Sequence, residues 1–125
     1  MSITAADLLA YGAELATGAD EITWRNSVGR SYYSAYHTAK EWHSVQPKTS
    51  PLPAGMGMHK ALIHSMQHPP VMGQASIRSK GIAYTLNHMR TLRATADYEL
   101  GCTIDRAVAD TVAEMARTVH EKAAG

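Results

Sequence analysis

The chain has 125 residues, 45% of them hydrophobic and 18% charged, an ordinary globular balance that suits one domain with a single core. Its formal net charge is +1, so no global field pulls it toward nucleic acid, and any RNA contact has to come from a local patch. The one cysteine, Cys102, excludes an internal disulfide and points to a cytoplasmic location.

The opening MSITAADLLAYGAELATGAD lacks a basic start followed by a continuous apolar run, so it does not read as a signal peptide. No stretch approaches about 18 uninterrupted apolar residues, which argues against a membrane span. Phe is absent, but there are six Tyr, two Trp, seven Met and seven His. Buried Tyr and Trp need partners for their polar atoms, and Met fills gaps in helical cores.

In chain order, Ser2 or Thr4 can cap a first helix with Asp7 in its opening turn. Ala5, Leu8 and Leu15 recur at helical spacing with Gly12 between, and the helix should stop near Gly18. Asp20 caps a second helix that runs without Pro from Glu21 to Ser44. Val28, Tyr32, Ala35, Ala39 and Trp42 form its packing seam. Gly29 costs this helix about 1 kcal/mol against Ala and suggests a close approach by another helix.

Pro47, Pro51, Pro53, Gly55 and Gly57 make residues 46–57 a long loop. A short third helix follows over Met58 to Gln67, ended by His68-Pro69-Pro70. The fourth is expected over Ala75 to Ala96, with Ile82, Leu86, Met89 and Ala96 on one face and Leu92 beside it. Arg93 falls on that apolar line, which is unusual for a charge. Thr103 can cap a fifth helix with the seam Ile104, Val108, Thr111, Met115 and Val119. The expected fold is all-α: a four-helix bundle core with one additional short helix.

Three clusters could carry chemistry. On the second helix Arg30 and His37 are seven apart, about 20° short of two turns, so they share a face with Tyr33 between them and Asn26 one turn before. Arg can hold a phosphate while His moves a proton, the parts needed to cleave RNA without metal. The plainer alternative is a solvated or dimer-packing polar face. His59 opens the third helix, and it too can be a packing histidine. Arg93 and Asp97 are four apart and can pair along the fourth helix next to Tyr98, or Arg93 can reach across to a neighbour. No HExxH or paired-Cys spacing suggests a metal site, there is no phosphate loop or GxSxG elbow, and no cofactor is expected.

Together these stretches resemble the HEPN (higher eukaryotes and prokaryotes nucleotide-binding) domain. Ser27-Val-Gly-Arg30-Ser-Tyr32-Tyr33-Ser-Ala35-Tyr-His37 is similar to the family's Ser-x-x-Arg-Ala-Tyr-Tyr-Ala-Ala-Phe-His helix. His59 opens a helix after a Pro/Gly loop, and Leu92-Arg93-Ala-Thr-Ala96-Asp97-Tyr98 is similar to the family's Leu-Arg-x-x-Ala-Asp-Tyr ending. Their order and spacing span about 75 of the 125 residues. The resemblance implies an up-and-down helical bundle that usually dimerises. It also implies RNA cleavage, toxin–antitoxin pairs or nucleotidyltransferase partners.

Arg30 with His37 then fits the family's Arg–His spacing, with polar Ser31 after the Arg. In the family's ribonuclease members that motif lies on a later helix, where this chain has Arg93, Asp97 and Tyr98 with no His to follow. Two functions are therefore expected. One is a metal-independent endoribonuclease toxin using Arg30, His37 and Tyr33, with Arg93, Asp97, Tyr98, His59 and Asn26 binding substrate. The other is a non-catalytic module that binds a nucleotidyltransferase, an antitoxin or a nucleotide. Arg30, His37, Arg93 and Asp97 are predicted to converge on one cleft.

Overall fold

The computed structural model describes residues 2–47 and 51–125; residues 48–50 of the Pro/Gly loop lie outside the described residues. Five helices follow in order: α1 (Ala5–Ala16), α2 (Glu21–Ser44), α3 (Met58–Gln67), α4 (Gln74–Tyr98) and α5 (Arg106–Ala124). There is no strand among the described residues, and no helix is long and apolar enough to cross a membrane.

Local signals set most helix starts. Thr4 accepts from the Asp7 N–H at 3.1 Å, and the Thr4 N–H donates to the Asp7 carboxylate at 2.8 Å, a reciprocal cap that satisfies two end groups. Asp20 accepts from the Thr23 N–H at 3.0 Å and so starts α2. Thr103 does not cap α5: Asp105 does, accepting from the Val108 N–H at 3.0 Å. Ile104, just ahead of that cap, is buried.

α2 is the hub. It packs on α1, α4 and α5 and touches α3, while α3 lies mainly against α4. This explains why α2 buries more than its expected seam: Ser27, Gly29, Ser31, Ser34 and Tyr36 are covered as well as Val28, Tyr32, Ala35 and Ala39. Close helix approach occurs at Gly12 rather than at Gly29. A Cβ on Gly12 would sit 2.4 Å from Ser31 Oγ and 2.9 Å from the Ser31 nitrogen, whereas one on Gly29 would meet only Asp97 Oδ1 at 4.0 Å. Ser27 seals this α1–α2 contact by donating to the Gly12 carbonyl at 2.7 Å.

α4 ends two residues later than its sequence suggests, and the reason lies in α2. Arg25 donates to the carbonyls of Ala96 (2.8 Å) and Glu99 (3.3 Å) and to that of Cys102, while its Nε bonds Glu21 at 2.9 Å. The Ala96 carbonyl is one that the C-terminus of α4 leaves unpaired, and those of Glu99 and Cys102 belong to the turn that follows. α2 and α4 run antiparallel, with Arg25 against Ala96 and Tyr32 against Arg93. α5 buries Ala109, Val112, Ala113, Ala116 and Val119, a face rotated from the expected line, so Thr111 is exposed and Met115 only half-buried. The three alanines let α5 lie close to its neighbours without a large side chain to accommodate.

Candidate functional site

The site is built where the polar edge of α2 meets the start of α3 and the last turns of α4. Tyr32, Tyr33 and Tyr36 lie within about one turn of α2, and His59 comes from α3 to meet them. The His59 ring stacks on Tyr36 with centroids 3.9 Å apart and planes 15° apart, and it meets Tyr33 edge-on at 5.7 Å. Its Nδ1 is 2.6 Å from the Tyr32 hydroxyl.

Tyr32 is fully buried, and burial pushes its pKa up, so the phenol stays protonated near neutral pH. Its hydroxyl can donate to Nδ1 or accept from it, and when it donates the ring proton of neutral His59 lies on Nε2. Burial also holds the His59 pKa below 6.5, helped by the positive charges of Arg93 and Arg90 and then by His37 and Lys40. Burial likewise raises the Tyr36 pKa.

Four of the expected site residues gather around one ring. Arg30 lies 5.4 Å from the Tyr33 centroid and Arg93 lies 5.7 Å from it. His37 is 6.4 Å from the same ring and meets Tyr36 edge-on at 5.3 Å. Arg93 also stands 5.5 Å from Tyr32 and 5.9 Å from Tyr98, and Nη1 donates to Asp97 at 3.1 Å. Asn26 is exposed one turn before Arg30, outside the ring cluster.

Arg93 is half-buried, and burial alone would weaken its charge. The bond to Asp97, with Tyr33 and Tyr98, outweighs that and raises its pKa. Its Nε is buried without a hydrogen-bond partner. Such a donor costs about 1–3 kcal/mol, offset in part by the ring faces around it. Two guanidiniums and two imidazoles thus lie within 6.4 Å of the Tyr33 ring, groups that between them can offset a negative charge and move a proton.

Ser31, the polar residue after Arg30, faces α1 instead: it is buried against Gly12 with its hydroxyl unpartnered. The residues that sequence reasoning missed are Tyr32, Tyr36 and Arg90. A clue was available for Tyr32, since a seam tyrosine must find a partner for its hydroxyl. Among the described residues no three His, Cys, Asp or Glu side chains form a metal-binding group. Comparison with family models, curated proteins and solved structures found no match to this chain.

Proposed function

We propose that this chain is a HEPN-like, metal-independent endoribonuclease, the toxin of a toxin–antitoxin or defence module. The observation that carries the reading is the convergence of Arg30, Arg93, His37 and His59 on the Tyr33 ring. A scissile phosphate sits between the two guanidiniums, which offset its charge as it develops. His37 takes the proton of the 2′-hydroxyl. The 2′-oxygen attacks phosphorus, the bond to the 5′-oxygen breaks, and that oxygen takes a proton from solvent. The products are a 2′,3′-cyclic phosphate and a 5′-hydroxyl. His59 donates from Nε2 to a phosphate oxygen, and Tyr33 sets the spacing of the arginines.

The same reading takes α1, α2, α4 and α5 as an up-and-down bundle with α3 added, working as a homodimer. The antiparallel pairs support it: α2 with α4, and α4 with α5, where Gly81 faces Lys122 and Arg78 faces Gly125. To test the activity, the wild type and His37→Ala are each expressed without a partner, and growth and RNA integrity are followed. The wild type should arrest growth and fragment RNA, and His37→Ala should do neither. Intact RNA and normal growth with the wild type overturn the proposal.

The Arg93–Asp97 ion pair favours a second reading, because it already occupies part of the cationic site. In it the chain is a non-catalytic module that binds a nucleotidyltransferase, an antitoxin or a nucleotide. Partner binding retained by an Arg30/His37 double variant, with no RNase activity in the wild type, supports that reading.

A further inference from the structure

Beside the ring cluster, α4 lines a groove of about 450 Å³ that shares only Arg93 with the cleavage chemistry. Arg90, Thr91, Arg93, Thr95, Tyr98 and Glu99 line it. Arg93 belongs to both the groove and the cluster, so a chain whose phosphate lies at Arg93 has its next nucleotide over the groove. Tyr98 is 74% exposed with the Arg93 guanidinium 5.9 Å from its ring centroid, an aromatic surface of the kind on which a base stacks beside a charge. Arg90 supplies a second positive charge at the other end.

Glu99 is held by its backbone. Its N–H donates to the Thr95 carbonyl at 3.0 Å, and its own carbonyl accepts from Arg25 at 3.3 Å and from the Cys102 N–H at 3.1 Å. The backbone is fixed from both sides, while the carboxylate makes only a weak thiol contact, from Cys102 Sγ at 3.8 Å. A carboxylate has two acceptor oxygens and no donor. Guanine is the base that presents two adjacent N–H donors, N1–H and N2–H, on one edge. Uracil has no exocyclic amine, and adenine and cytosine each offer the amine without the neighbouring ring N–H.

We infer that this groove is a nucleobase subsite in which Tyr98 stacks a guanine and Glu99 accepts from its N1–H and N2–H. The inference rests on the RNA reading above and names the sequence preference of that site.

The test uses 2′-O-methylated hexanucleotides, which cannot be cleaved through the 2′-oxygen: an all-U strand and the same strand with one G. Binding to the full chain is followed by fluorescence anisotropy. The G-containing strand should bind about tenfold more tightly, the scale of one stacked and hydrogen-bonded base. Tyr98→Leu should weaken both strands, and Glu99→Gln should abolish the preference while leaving all-U binding in place. Equal binding of the two strands, or a preference unchanged in Glu99→Gln, overturns the subsite. A cleavage arm uses unmodified strands of the same sequences. Cutting with no G preference leaves the nuclease standing without the subsite. A G preference in binding without cutting does the reverse.

Discussion

Arg25 and Arg93 are both largely covered, with side chains 12% and 16% exposed, yet they are used in opposite ways. Arg25 directs its donors at the carbonyls that end α4 and at Glu21, and nothing of it is left over. Arg93 makes one bond to Asp97, lies among Tyr32, Tyr33 and Tyr98, and keeps a buried Nε without a partner. The first is a clamp between two helices. The second is a charge held in place with capacity to spare. Burial alone does not separate structural from functional arginines; the destination of each N–H does.

The largest effect should follow from breaking the clamp. Arg25→Ala takes the arginine donors from the Ala96 and Cys102 carbonyls and breaks the pair with Glu21, and should cost about 3 kcal/mol, read as a lower urea midpoint with an unchanged slope. Gly12→Val forces a side chain into Ser31 and should cost about 2 kcal/mol in the same experiment. Tyr32→Phe removes the hydroxyl bonded to His59 and should cost about 1 kcal/mol. Arg93→Met should change stability by under about 1 kcal/mol, since the lost pair and ring contacts are offset by removal of the unpartnered Nε. A loss at Arg93 as large as that at Arg25 would erase the distinction between the two.

Acidification offers a subtler probe. The folded pKa of His59 is depressed below 6.5, chiefly by burial, so the folded state prefers the neutral ring. That contribution is complete above the unfolded value and is lost as pH falls through the folded one. His120, also half-buried and depressed chiefly by that burial, acts with the same sign. The urea midpoint should therefore fall between pH 7.5 and pH 5, and His59→Gln should flatten the fall in part. An unchanged slope with pH in that variant would mean that His59 is not held neutral by its surroundings.

The parts of this molecule legible in sequence are those that local rules decide. Asp20 and a long run without Pro mark α2, and helical spacing alone puts Arg30, Tyr33 and His37 on one edge. The end of α4 was not legible because its stabilising group, Arg25, lies 71 residues away in sequence from Ala96. The sequence puts the α5 cap at Thr103, just before the apolar Ile104, whereas Asp105 is the cap and Ile104 is buried ahead of the helix. Its buried face was hidden for a related reason: alanines pack in cores and sit on surfaces alike, so Ala109, Ala113 and Ala116 gave the periodicity no weight. The docking of His59 on Tyr32 and Tyr36 depends on how α3 packs after a long loop, which loop composition does not specify.

The central claim is that the Arg30–Tyr33–Arg93 cluster with His37 handles an RNA phosphate without metal. The direct measurement is cleavage of end-labelled RNA in excess EDTA by purified wild type, His37→Ala and Arg93→Met, each first shown to be folded by its urea transition. Cleavage by the wild type to 2′,3′-cyclic phosphate ends, with a loss of at least about a hundredfold in each variant, is the predicted result. Cleavage that persists at the wild-type rate in both variants, or no cleavage by the folded wild type, would contradict it.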